Sequence, residues 1–373
     1  MMRRHVQRKL GSRQAGRQGL ARLGRRAGVF AAVAGLAVLP TAHAASRSGP
    51  TAGGPAPAAA DHRDLNTPLA GGRGKHWAYV ANTNSNSVSV IDTRTNRVTT
   101  TIPVGSGPDD LKVTPNGRFV YVANGGSNSV SVIDTRTNRV TITIPVDGPV
   151  SGVAVAPNGR FVYATVASGG PTGAAPGDVT VIDARTNRVT TTIPVGAIPD
   201  DLVVTPNSRF AYVVNLGSNN ASVIDTRTNR VTTTIPVGDT PIDADVAPDG
   251  RFVYVTNSAS NSVSVIDTRT NRVTTTIPVS GEPFGVKASP NGKLVYVTDH
   301  SSNDVSVIDA RHNRVTATIP VGTSPAGLDF TPNSKFAYVA DFRSKAVSVI
   351  DTRTERVTTT IPVGDGPNDV AIG

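Results

Sequence analysis

Residues Val90 to Gly105 read VIDTRTNRVTTTIPVG, and the same string returns letter for letter at Val223 to Gly238. Near copies run through the chain, and the Asp of each VID marks their spacing: Asp92, Asp134, Asp183, Asp225, Asp267, Asp309 and Asp351. The steps between these are 42, 49, 42, 42, 42 and 42 residues, which makes seven copies with one insertion of seven. A period of about 40 to 45 residues made of short strands points to propeller blades, because one such unit cannot bury both its faces without neighbours.

One copy resolves into four strand-like pieces: DDLKVT (Asp109 to Thr114), FVYVAN (Phe119 to Asn124), SVSVID (Ser129 to Asp134) and RVTITIPV (Arg139 to Val146), here A, B, C and D. Their β-branched and aromatic residues suit strands, and TPNG and DTRTN supply turns. Every D piece carries a proline (Pro103, Pro145, Pro194, Pro236, Pro278, Pro320 and Pro362), which places D on the outer edge, where a missing N–H is tolerated. Small residues in one column of A (Gly152, Gly285 and Gly327) fit strands converging on an axis. The repeats begin at a B piece, HWAYVAN, and end with an unaccompanied A piece, Gly366 to Gly373. That last strand is expected to complete the first blade and close the ring. The expected fold is therefore all-β, a seven-bladed propeller of four-stranded antiparallel blades over residues 75–373.

The B pieces end in YVTN at Tyr254 to Asn257, YVAN at Tyr79 and Tyr121, YVVN at Tyr212, YVTD at Tyr296 and YVAD at Tyr338. With VIDTRTNRV and IPVG, these resemble the YVTN-family β-propeller repeats of microbial surface-layer and exported proteins. The resemblance covers Trp77 to Gly373 and implies a fold more than an activity, since the same architecture hosts lactonases, lyases and passive binding discs. The copy from Val155 departs from the pattern, with YATV at Tyr163 and a longer segment, Ala167 to Asp178.

Residues 1–44 have the build of an export signal: nine Arg and Lys, the apolar run Ala27 to Leu39, then AHA before Ala45. The run of 13 residues is short of the roughly 20 that span a bilayer. This segment holds nine of the 37 Lys and Arg and none of the 27 Asp and Glu, so the remainder has 28 against 27, a net charge of +1. A nucleic-acid binder by bulk charge is thereby excluded. Residues 45–74, rich in Ala, Pro and Gly, read as a flexible tether. Cysteine is absent, so an exported fold must be held by burial without disulfides. Secretion or attachment to the cell envelope is the expected localisation, as a monomer without a membrane span after signal removal.

The charges sort by face. The C–D turns carry Arg94, Arg136, Arg185, Arg227, Arg269, Arg311 and Arg353, followed at the start of D by Arg97, Arg139, Arg188, Arg230, Arg272, Arg314 and Arg356. The A–B turns add Arg118, Arg160, Arg209, Arg251, Lys293 and Lys335. Twenty cations thus share one face. They are either turn hardware, each VID aspartate accepting turn N–H groups and pairing with its own Arg, or a guanidinium ring for phosphate and sulfate. The opposite mouth is acidic, with Asp109, Asp110, Asp200, Asp201, Asp243 and Asp369 in two adjacent columns. Such oxygens can hold Ca²⁺ or Mg²⁺, or they can be solvated loop-end acids. His300, in a B–C loop, is the one histidine placed to serve as a general base at that mouth.

Motifs for a nucleophile elbow, a zincin or a P-loop are missing. The leading expectation is a non-catalytic scaffold without a cofactor, binding a cell-envelope polymer or protein, a polyanion among the candidates. The alternative is a lactonase-like or lyase-like enzyme with a metal-assisted site at the acidic mouth, for which Asp201, Asp243 and His300 would have to converge.

Overall fold

The computed structural model describes residues 77–167 and 175–373. The expected export signal and tether and His76 lie outside them, as does 168–174 of the long segment in the third copy. Seven antiparallel sheets of four strands each are formed. Blade 2 is typical: Pro108–Val113 (A), Phe119–Asn124 (B), Ser129–Asp134 (C) and Arg139–Pro145 (D). The strand expected to close the ring does so. Pro367–Ile372 pairs antiparallel with Trp77–Asn82 of blade 1, and Trp77 and Gly373 exchange N–H···O bonds of 3.1 Å at the seam. Among the described residues no helix is long and apolar enough to cross a membrane.

The core is divided among the seams. Seven apolar clusters form, and each draws its residues from two adjacent blades: Tyr121 and Val132 of blade 2, for instance, pack with Val153 and Ile182 of blade 3. A single blade has no core of its own, which is why the sequence must be repeated. Burial follows strand order. Strand B is buried almost throughout, whereas D alternates exposed and half-buried residues, as an edge strand does. In every D strand the register slips after the second residue of the ladder, so that Ile91 faces Val98 while Val90 faces Thr100. The extra residue is the first Thr of RVT, and Thr99 Oγ1 donates to the Val90 carbonyl at 3.1 Å, satisfying a group the bulge would orphan.

The repeated letters have structural duties. The Tyr of strand B is buried in every blade, and in three it bonds the C–D turn of the next blade, as Tyr121 does to Asn187 Oδ1 at 2.7 Å and Tyr212 to Asn271 Oδ1 at 2.6 Å. Those Asn residues sit at φ of 53° and 52°, the left-handed conformation Asn tolerates best among non-glycine residues. The Asn ending strand B is fully buried, and its amide donates to the C-strand serines, Asn82 to Ser89 Oγ at 2.9 Å and Asn257 to Ser264 Oγ at 3.0 Å. The Gly of IPVG lies against that amide: a Cβ on Gly238 would sit 2.6 Å from Asn257 Cγ. YVTN and SVSV of one blade are therefore interlocked with the IPVG of the blade before it.

Candidate functional site

The acidic columns lie on strand A around the axis. Asp110, Asp201, Asp243 and Asp369 occupy one position, and each carboxylate turns toward the neighbouring blade. Asp110 Oδ2 accepts the Val153 N–H at 2.6 Å, Asp243 Oδ2 that of Val286 at 2.7 Å, Asp201 Oδ2 that of Ala244 at 3.3 Å and Asp369 Oδ2 that of Leu111 at 3.4 Å. Where the column holds glycine, the next blade comes too close for a side chain: a Cβ on Gly152 would lie 2.9 Å from the Asp201 Cα, and one on Gly285 would lie 2.6 Å from the Ala326 carbonyl oxygen.

Two residues further along the strand, on the same side, stand Lys112, Asp245, Lys287 and Asp329. Lys112 Nζ donates to Asp110 and, at 3.2 Å, to Asp369, while Lys287 Nζ lies 3.2 Å from Asp245 and 4.0 Å from Asp329. Asp245 and Asp329 repeat the inter-blade bond, accepting the N–H of Ala288 and of Ile372 at 2.8 Å each. These two lysines are internal counter-ions that the sequence reading did not include. Period-two alternation was the signal for them, since Asp110 and Lys112 must share a side of the strand.

Burial and crowding keep part of this ring protonated. Burial raises Asp109, with the charges of Asp200 and Asp110 adding to it, and Asp200 is pushed up to about 7 by burial and then by Asp243 and Asp110. Asp201 rises through burial and through Asp243 beside it. Burial also raises Asp369, against the pull of Lys112. Asp110 goes the other way: burial opposes its ionisation, but Lys112, Asp369 and the Val153 N–H together hold it below the usual carboxylate range. The chemical result is a proton-sharing, lysine-neutralised ring rather than a set of free oxygen donors. Among the described residues no group of three or more His, Cys, Asp or Glu is arranged to hold a metal ion. His300 is placed elsewhere in the mouth. Its ring lies 5.7 Å from the Phe284 ring at a tilt of 31°, and its Nδ1 is 3.2 Å from the Pro325 carbonyl, in blades 6 and 7. Asp201 and Asp243 face each other from blades 4 and 5.

On the opposite face the VID aspartates close the turns. Asp134 Oδ1 accepts the N–H of Arg136 at 2.9 Å and of Thr137 at 3.0 Å, and the pattern recurs at Asp183, Asp225, Asp267 and Asp351. The turn half of the structural reading therefore holds, while the pairing half holds at one place. Among the described residues the ion pairs of this face are Arg94–Asp92 at 3.8 Å and His312–Asp309 at 3.1 Å. All fourteen arginines of the C–D turns and D-strand starts, Arg94, Arg97, Arg136, Arg139, Arg227, Arg230, Arg269 and Arg272 among them, are exposed. The A–B turn arginines are used differently. Arg118, Arg160, Arg209 and Arg251 lie 5.1 to 5.5 Å over the rings of Phe119, Phe161, Phe210 and Phe252, a cation–π contact that packs the turn down.

Comparison with known proteins agrees with this architecture. A YNCE-like β-propeller family model matches residues 175–333, and a seven-bladed lactonase β-propeller model matches residues 93–236. No curated protein sequence matches. Among solved structures, Kuenenia stuttgartiensis hydrazine synthase is similar at 24% identity and a TM-score of 0.67, over 74% of this chain and 92% of that one. A functionally unknown protein from Desulfotomaculum acetoxidans aligns at 15% identity and 0.69, over 79% and 98%. The dihydro-heme d1 dehydrogenase NirN, in complex with DHE, aligns at 18% identity and 0.59, over 80% and 66%. Such distant likeness speaks to architecture alone, and on it the chain is a seven-bladed β-propeller.

Proposed function

We propose that this propeller is a non-catalytic binding scaffold of the cell exterior, which engages a polyanionic cell-envelope polymer through its arginine face. The observation that carries the reading is the contrast between the two faces. At the axial mouth the strand-A carboxylates are occupied by inter-blade N–H bonds and by Lys112 and Lys287, so the groups a metal-assisted lactonase would need are holding the ring together. On the other face fourteen exposed guanidinium groups are arrayed with one carboxylate pairing among them. Guanidinium binds phosphate and sulfate in a bidentate way and is weakly hydrated, so it keeps this capacity at a surface.

The test is retention of residues 45–373 on heparin and on phosphate supports at low ionic strength, with release by salt as counter-ions return. Flow-through on both supports would mean that the arginines serve only their turns.

A further inference from the structure

The seven seams of the arginine face are not equivalent in sequence, and the one between blades 5 and 6 forms a groove. Between blades 5 and 6 a groove of about 770 Å³ is lined by residues of two A–B turns and one C–D turn. It coincides with three departures from the repeat. Blades 2 to 5 begin strand B with an Arg–Phe pair whose ring lies under the guanidinium, whereas blade 6 has Lys293–Leu294, a smaller residue under an unstacked cation. The C–D turn of blade 6 reads DARHN, with His312 where other blades carry Thr. The tip of the blade 5 A–B turn is Asp249 where the other A–B turns have Asn.

These departures place Lys293, Arg311 and His312 on the walls of one groove, over Leu294 and Phe252. Two acids, Asp249 and Asp309, line it as well. Asp309 is already engaged: its Oδ1 accepts the N–H groups of Arg311 and His312, each at 2.9 Å, and lies 3.1 Å from His312 Nδ1. That contact leaves the other ring nitrogen of His312, a donor in the imidazolium form, to meet a ligand. Asp249 Oδ1 accepts the Arg251 N–H at 2.9 Å within its own turn. Both carboxylates thus serve turn structure, and the cations are exposed.

We propose that this groove is the specific seat on the arginine face, taking a single phosphate or sulfate group of the polyanion between Lys293, Arg311 and His312. The remaining arginines then supply non-specific attraction, while the groove fixes where the polymer lies. The inference rests on the polyanion reading and fails separately from it.

The experiment compares two variants with the same charge change, Lys293→Glu/Arg311→Glu and Arg94→Glu/Arg136→Glu, titrated with a labelled heparin oligosaccharide and with inorganic polyphosphate. Unfolding curves confirm that both fold. A seat in the groove requires the blade 5–6 variant to lose at least about tenfold more affinity than the blade 1–2 variant, the effect of losing two charge-assisted bonds. Equal losses would overturn the groove and leave diffuse polyanion binding standing. No binding by the unaltered protein would remove the polyanion reading itself. His312→Thr, which restores the residue of the other blades, should weaken binding of the same probes several-fold. An affinity that this change leaves untouched also overturns the assignment.

Discussion

Replacing Asp299 by Asn should make the protein more stable at pH 8 than it is in its natural form. Strand B of blade 6 ends in Asp299 where blades 1, 2, 4 and 5 have Asn, and directly opposite in the ladder stands Asp304 where blades 1, 2 and 5 have Ser. Asp299 is fully buried and its Oδ2 accepts the Ser306 hydroxyl at 2.6 Å, but its Oδ1 and that of Asp304 have no partner. Two facing carboxyls in such a place can keep one proton between them. Burial foremost, with Asp304 adding to it, pushes Asp299 up from 3.8 to about 7. An acid whose folded value is raised contributes stability that is complete below its unfolded value and is lost as pH rises through the folded one. The window is therefore pH 4 to 7. The rise from 3.8 to about 7 corresponds, at about 1.4 kcal/mol for each pH unit, to a ceiling of ~4 kcal/mol. Asn carries no charge, and its amide can donate toward Asp304 and Ser306 as Asn82 does toward Ser87 and Ser89. Urea unfolding of both proteins from pH 4 to pH 8 reads the difference directly. It should be small at pH 4 and grow to about 2–4 kcal/mol in favour of the variant at pH 8. A difference that does not change with pH, or a natural protein that stays the more stable at pH 8, would refute the shared-proton account.

Three further outcomes follow from the geometry of the seams. Tyr121→Phe removes the hydroxyl that meets Asn187 at 2.7 Å and leaves a buried acceptor, so chemical denaturation should show a loss of about 1–2 kcal/mol. Gly327→Ala forces a Cβ to within 2.8 Å of the Asp369 Cα, and thermal unfolding should fall by an amount equivalent to about 1–3 kcal/mol of overpacking. Deleting 367–373 removes strand A of blade 1 and strips Trp77–Asn82 of one of its two partner strands. That deletion should lower the melting temperature far more than removing residues 45–74, and equal melting temperatures would contradict ring closure by this strand.

The architecture was readable because the repeat writes the same edge proline and strand-B Tyr seven times and the turn Asn six times, with Glu355 in the last copy, so that a strand's place could be inferred once and checked against its copies. The orphan piece at Gly366 to Gly373 revealed closure for the same reason. The acidic mouth was read from columns of like residues, and that method misses Lys112 and Lys287, which are single departures inside strands rather than members of a column. It also could not show that Asp110 Oδ2 meets the N–H of Val153, because that contact depends on how closely the ring draws neighbouring A strands together. Likewise the sequence placed Arg94 beside Asp92 and Arg269 beside Asp267 equally. Which guanidinium folds back and which stays in solvent is decided by rotamer freedom at an exposed turn, where the energy differences are small.

The polyanion account is tested most directly by the salt dependence of heparin affinity, measured with charge reversals confined to exposed positions on either face. Asp109, Asp110 and Asp201 are unsuitable for reversal because they hold strand A of the ring, so Asp147 and Asp239, exposed in the D–A connections, provide the control. The account predicts that Arg94→Glu, Arg136→Glu and Arg227→Glu together weaken binding and flatten its dependence on salt by about three charges. It predicts that Asp147→Lys with Asp239→Lys leaves the affinity unchanged or slightly raised. Equal responses from the two faces, or no affinity for heparin even at low ionic strength, would contradict it.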